Sequence, residues 1–203
     1  MTHISNNPSL GIIECNKENV HVAFAQNLVI TSSNLSALHF AQREMLERLA
    51  FVLQTFIPFF IESHGHIKRI ADVSYVMSHN LMTVLSFTDL EFKIDYSKLL
   101  LSQGNLPNAI SPLSRAAPGG IEFCWARHNL VGTQKNDKAI LVVYCEALNQ
   151  CIYNIGDIRR EDKGVFMETP PFSGYEVHCW LSFLSEDETE IATSVYTGPC
   201  FIP

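Results

Sequence analysis

Hydrophobic and polar positions along this chain follow two periods, and the change falls near residue 95. From Ser36 to about Ile61, Leu38, Met45, Leu49, Val52, Leu53, Phe56 and Phe60 recur at helical spacing. Gln42, Arg43, Glu44, Glu47 and Arg48 lie largely off that face, the pattern of an amphipathic helix. Thr31-Ser32-Ser33-Asn34 supplies side-chain oxygens suited to the free N–H groups of a helix entry. Pro58 comes late in the run and predicts a kink or an end there. A second helix is expected over Ala71–Leu85 from the stripe Val73, Val76, Met77, Leu81, Val84 and Leu85. Ahead of both, Ile12–Cys15 and Val20–Ala25 flank Asn16-Lys17-Glu18-Asn19 as a short hairpin. Thr88–Ile94 alternates and reads as a strand.

Beyond Ser97 the period becomes two. The clearest case is Tyr175–Leu184, where Tyr175, Val177, Cys179, Leu181 and Phe183 alternate with Glu176, His178, Trp180 and Ser182. Trp180 falls on the face where polar residues belong. Further strands are expected at Leu99–Ser102, Ile121–Ala126, Ala139–Glu146, Gln150–Ile155, Val165–Glu168 and Glu190–Tyr196. Leu106–Gly120, rich in Pro, Ser and Gly, reads as an irregular connection. Ala139–Glu146 is apolar on both faces for most of its length and is expected at the centre of a sheet. The resulting expectation is an α+β chain: residues 1–95 form a hairpin and two helices, and residues 96–203 a seven-stranded antiparallel sandwich.

Two features of the second part resemble fibronectin type III and related immunoglobulin-like sandwiches. Ile121, Phe123 and Trp125 alternate inward and end a second strand on a Trp, and Tyr175, Val177 and Cys179 look like a Tyr-led sixth strand. Cys124 is out of phase with the inward set, so a sandwich without the immunoglobulin disulfide is expected. The wider chain resembles an uncharacterised family of domains of unknown function, common in Bacteroidota, with a helical first part and a sandwich second part. The resemblance rests on Gln42-Arg43, Ser74-Tyr75 with His79-Asn80, Ile94-Asp95-Tyr96-Ser97-Lys98 with Ser102-Gln103-Gly104-Asn105-Leu106, Lys138–Tyr144, and Ser185-Glu186-Asp187 with Ser194-Val195-Tyr196-Thr197-Gly198. It spans roughly 42–198. The N-terminus departs from the family pattern: Leu10–Val29 replaces a Gly-rich opening with a Trp-Lys-Gly step.

Composition narrows the function classes. With 203 residues, 47% apolar and 17% charged, the chain can bury a sizeable core. A formal net charge of −7 argues against a duplex nucleic-acid binder, which needs a cationic surplus to displace counterions. The first ten residues lack a basic start and apolar core, and the longest apolar run, Ala50–Ile61, falls short of the ~20 residues that cross a bilayer. A cytoplasmic protein without membrane insertion is expected, with leaderless export or incorporation in a particle as the other routes. Six scattered cysteines show no C-x-x-C pair or zinc spacing, and free thiols are expected; Cys145 and Cys151 flank a turn across which they could face each other.

The candidate chemistry is thin. His64-Gly65-His66 could offer two imidazoles to a metal but lacks a third ligand nearby, and reads as a solvated turn. His178 and Cys179 are adjacent on a strand, so they point to opposite faces and cannot pair as base and nucleophile. Asp95-Tyr96-Ser97 reads as a strand entry with the carboxylate on local N–H groups. Glu122, Glu146, Glu168 and Glu176 fit the polar positions of strands better than a glycosidase pair. No phosphate-binding loop or nucleophile elbow is present, and no cofactor or metal is expected.

An apolar surplus is more informative. Trp180, Leu141 and Val143 are expected on the outer face of the sandwich, and Phe51, Phe56, Phe59, Phe60 and Ile61 exceed one helical stripe. Either the helices lie over the outer face and bury Trp180, or part of this surface meets another subunit. The expected function is a non-enzymatic structural or protein-interaction protein, a subunit of a phage-like or other assembly, acting through a protein partner or self-association. The candidate interaction residues are Phe56, Phe59, Phe60, Leu141, Val143 and Trp180. The alternative is a small-ligand or carbohydrate-binding module using Tyr153, Trp180 or Tyr196.

Overall fold

A computed structural model describes residues 13–16, 19–22, 33–65, 70–88, 91–126 and 132–203. An antiparallel hairpin, β1 (Ile13–Asn16) and β2 (Asn19–Val22), comes first. Three helices follow rather than two: α1 (Ser33–Thr55), α2 (Ile57–Gly65) and α3 (Ile70–Thr83). The extra break lies at Phe56. Pro58 has no N–H for the helical ladder, so the chain tightens there, with Phe56 N–H donating to Leu53 O at 3.1 Å. Phe60 N–H then resumes on Phe56 O at 2.9 Å, and the apolar face carries across the bend. His64 and Gly65 close α2 instead of forming a turn, and His66 lies outside the described residues. The single strand expected at Thr88–Ile94 is a hairpin of β3 (Leu85–Thr88) and β4 (Glu91–Ile94), with Leu85 opposite Ile94. The alternation there marks only the second arm, because Leu85 also fits the helical stripe of the segment before it.

Seven strands follow: β5 (Ile110–Ala117), β6 (Gly120–Ala126), β7 (Lys138–Cys145), β8 (Gln150–Arg159), β9 (Gly164–Glu168), β10 (Glu176–Leu184) and β11 (Val195–Phe201). They form two antiparallel sheets, ordered β5-β6-β9 and β11-β10-β7-β8. The class is α+β. Two of the expected strands move. Leu99–Ser102 is not a strand, because side chains take its backbone groups: Asn80 donates to Leu100 O and accepts from Leu100 N–H, and Ser194 Oγ accepts from Leu101 and Ser102 N–H. The edge strand β5 instead occupies the stretch expected to be irregular. Its Pro112 sits at a register shift between Ile110 and Leu113, beside Ser111 at φ 49°, where a residue without an N–H is tolerated. The last strand starts at Val195 rather than Glu190; Ile191 and Ala192 make only isolated bridges.

One core lies between the two large sheets and another outside the four-stranded one. Ile121, Phe123 and Trp125 of β6 meet Leu141, Val143, Cys179, Leu181 and Phe183 in the first. Trp180, Ile140, Val142 and Tyr144 face the second, where α1, α2 and the bend between them supply Leu49, Val52, Leu53, Phe56, Phe59 and Phe60. The expectation for Leu141 and Val143 is therefore corrected. They point into the inter-sheet core, because the ladder sets Trp180 opposite Val142 and Leu181 opposite Leu141. Since β7 is buried on both faces, its own alternation carries no phase, and only its register against β10 decides. Its central position is as expected. Among the described residues, no helix is long and apolar enough to cross a membrane.

A buried ion pair closes one end of the inter-sheet core. Arg160 Nε donates to Asp137 Oδ2 at 3.0 Å, its guanidinium lies 3.8 Å over the Phe183 ring, and its Nη2 donates to Pro107 O. Trp125 Nε1 donates to the Arg160 carbonyl at 2.9 Å and packs edge-on against Phe183. Both charges are almost wholly buried, so removing one leaves the other without compensation. Asp137→Ala is expected to destabilise by about 3–5 kcal/mol, read as a lower midpoint in urea unfolding.

Candidate functional site

The outer face of β10 and β7 is the most elaborated region of the chain. Trp180 stands at its centre, and its Nε1 donates to Leu99 O at 3.1 Å, so the indole is both buried and satisfied. Phe56 packs edge-on against it at 6.1 Å and also meets Tyr144 at 5.1 Å. Phe59 packs on Tyr153 at 5.5 Å, and the Tyr153 hydroxyl donates to Glu62 on α2 at 2.9 Å. Beside Trp180, Ser102 and Ser182 both donate to Ala192 O, and Ser102 N–H donates to Ser194 Oγ. The gap lined by Phe59, Trp180, Ser182 and Ser194 has no room for a water molecule. This layer is packed shut.

At its rim lies a cluster of titratable rings. His178 stacks on Tyr96 with ring centres 3.9 Å apart, and its Nδ1 is 2.8 Å from the Tyr196 hydroxyl. Tyr144 donates to Asn149 Oδ1 at 2.8 Å, and Glu146 pairs with Arg48 of α1. Burial works in one direction on all of them, by disfavouring charge. It lowers the pKa of His178 against the pull of Glu146 and Glu176, and it raises those of Tyr96, Tyr144 and Tyr196. Tyr153 is pushed up to about 12 for the same reason, aided by Glu62. The rim keeps its protons on the phenols and off the imidazole at neutral pH.

Of the six residues singled out from the sequence, Phe56, Phe59, Phe60 and Trp180 come together in this layer. Leu141 and Val143 lie on the far side of the sheet. Each of the six is at most 2% exposed. His178 and Cys179 do point to opposite faces, His178 into the ring cluster and Cys179 into the inter-sheet core. Asp95 caps the short turn Tyr96–Lys98, accepting from Ser97 N–H and hydroxyl, and the Ser97 hydroxyl above all lowers its pKa. Glu122, Glu168 and Glu176 are exposed on β6, β9 and β10; Glu176 and Glu146, the partner of Arg48, both act on His178. Cys145 faces Gln150 across its hairpin and Cys151 faces Tyr144, so the two thiols sit on opposite faces. The five described cysteines are free.

The sequence reading missed two groupings. One is the ring cluster, in which Tyr196 lies 18 and Tyr96 82 residues from His178, with no spacing to betray them. The other is the thiol pair Cys179 and Cys200 with Ser114, whose Oγ lies 3.5 Å from Cys200 Sγ. The coupling of the two thiols lowers the pKa of Cys200 and raises that of the more buried Cys179, while burial pushes Cys151 up to about 11. Cross-strand alternation puts both cysteines on the inward face, but the bulge at Thr197–Gly198 that sets their register is not visible in sequence.

The profile of a family of unknown function, DUF6266, matches residues 47–198, well over half of the chain. The chain belongs to that family. No curated protein matches it. The DUF6266 region opens inside α1 and ends in β11, so it contains the aromatic layer, the ring cluster and both large sheets. The β1–β2 hairpin and the first half of α1 lie before it.

Two outcomes are expected from this geometry. Trp180→Ala removes a fully buried ring and should lower stability by about 3–5 kcal/mol, read by denaturant unfolding monitored by circular dichroism. His178 has a folded pKa below the ordinary 6.5, so the unfolded chain binds its proton more readily. Stability is then full above pH 6.5 and falls as pH drops below it toward the folded pKa. His178→Phe should flatten the unfolding midpoint between pH 7 and pH 5, a window separate from that of Asp95, whose loss comes below its ordinary 3.8.

Proposed function

We propose that this DUF6266 chain is a non-enzymatic structural or protein-interaction protein, a subunit of a larger assembly built on a fibronectin type III-like sandwich. The strand orders β5-β6-β9 and β11-β10-β7-β8 support the sandwich reading, since they correspond to the A-B-E and G-F-C-C′ orders of that fold. The observation that carries the function is the outward side of the helices. Phe40, Phe51, Ile61, Tyr75 and Met82 are 52–83% exposed there, while the inward side already covers the sheet. Five large apolar groups facing water on one helical layer favour a protein contact. The contact surface therefore moves outward from Phe56, Phe59, Phe60 and Trp180, which serve the chain's own packing. The carbohydrate alternative loses its main platform, because Trp180 is 1% exposed and Tyr153 and Tyr196 are hydrogen-bonded to Glu62 and His178.

The test is the size of the native protein in extract from the cells that make it, set against the purified chain. It should elute in a larger particle, and Tyr75→Lys with Met82→Lys should return it to the size of the purified chain. Both positions are exposed, so the unfolding midpoint should stay within about 0.5 kcal/mol of the parent. Elution of the native protein at the size of a single chain would overturn the reading.

A further inference from the structure

The exposed side of α1 carries a sequence that reads nearly the same in both directions. Phe40-Ala41-Gln42-Arg43-Glu44-Met45 is followed by Leu46-Glu47-Arg48-Leu49-Ala50-Phe51. Reflection about the Met45–Leu46 bond exchanges Phe40 with Phe51, Ala41 with Ala50, Arg43 with Arg48 and Glu44 with Glu47. At 3.6 residues per turn, Phe40, Glu44, Glu47 and Phe51 fall on one line, in the 4-3-4 spacing of a coiled-coil seam. All four are exposed, Phe40 by 70% and Phe51 by 58%, and the buried residues Leu49, Val52, Leu53 and Phe56 lie on the opposite side of the helix.

A surface that maps onto itself by a two-fold rotation is what an isologous dimer needs. We propose that α1 pairs antiparallel with α1 of a second copy of this chain, about an axis through the Met45–Leu46 bond. Phe40 of each copy then packs on Phe51 of the other. Between these two aromatic ends, Glu44 of one copy comes level with Glu47 of the other. Arg43 of the first copy and Arg48 of the second flank each such pair of carboxylates. The segment carries two Arg and two Glu, so it is neutral within a chain of net charge −7, and two copies can approach there without the repulsion that opposes contact elsewhere. In the single chain these charges make only exposed pairs, Arg43 with Glu47 and Arg48 with Glu146, which exchange partners at little cost. Ala41 and Ala50 are small enough to let the helices approach closely. The seam is about 17 Å long, short for an interface, so the dimer is reversible and concentration-dependent. The proposal rests on the interaction reading above and names one partner for it. Of the segment, Glu47–Phe51 lies within the part matched by the family.

The experiment is absolute molar mass of the purified full chain by light scattering over a range of concentrations. The parent should pass from monomer to dimer, and Phe40→Lys with Phe51→Lys should stay monomeric while its thermal midpoint is kept. A charge exchange guards against misfolding as the cause. Arg43→Glu with Arg48→Glu, and separately Glu44→Arg with Glu47→Arg, should each be monomeric alone and should recover a dimer when mixed in equal amounts. A parent monomeric at every concentration, a dimer untouched by the Phe substitutions, or charge variants that do not reassociate on mixing would each overturn the pairing. A monomeric purified chain that still elutes in a larger particle from native extract would sink this dimer alone. Monomer size in both settings would sink the interaction reading as well.

Discussion

The four-stranded sheet has two apolar faces, and a sheet of that kind cannot be left with one of them in water. Val142, Ile140, Tyr144 and Trp180 make its outer side as hydrophobic as the side that meets β6 and β9. The helical part answers that constraint. Leu49, Val52, Leu53, Phe56, Phe59 and Phe60 cover the sheet, and the apolar face carries on from α1 into α2 across the bend at Phe56. The two parts of the sequence, with their different periods, therefore share a core that neither can complete alone.

The covering layer is held in place by polar contacts of unusual reach along the chain. Asn80 on α3 grips both backbone groups of Leu100, Trp180 reaches Leu99, and Ser194 takes two N–H groups of the same crossing segment. Residues 99–102 run between helices and sheet without forming a ladder, with one backbone bond, from Ser194 N–H to Ser102 O. Their peptide groups are buried and require partners, and the side chains supply them. At the rim the logic is electrostatic. The stacked His178 and Tyr96, with Tyr144 and Tyr196, are pushed toward their neutral forms by burial.

The elements that sequence reasoning reached are those whose stabilisation is local and periodic. Tyr175–Leu184 and Ala139–Glu146 alternate or saturate with apolar residues, and both are strands; the stripe from Met45 to Phe60 is helical. What it missed depended on partners far away. Leu99–Ser102 has strand-like residues, but side chains from positions 80 and 194 hold its backbone. Ile110–Ala117 looks irregular because of Pro112, yet the edge of a sheet and a bulge absorb a proline. The facing of Leu141 and Val143 was undecidable from β7 itself, and only pairing with β10 sets it. The awkward Trp180 was the most legible sign of the covering layer, since a large ring on a nominally polar face needs something above it. The ring cluster around His178 left no comparable trace.

That dependence on β10 has a consequence for synthesis. Phe56 and Trp180 meet across 124 positions of chain, so α1, α2 and α3 leave the ribosome long before the strand they pack against exists. At 5–20 residues per second the gap lasts roughly 6–25 s. Throughout it, a row of phenylalanines has nothing of its own chain to cover it. The nascent protein thus passes through a stage in which its most adhesive surface is complete and its shelter is not, and a chaperone that holds aromatic helices during translation would find its substrate there.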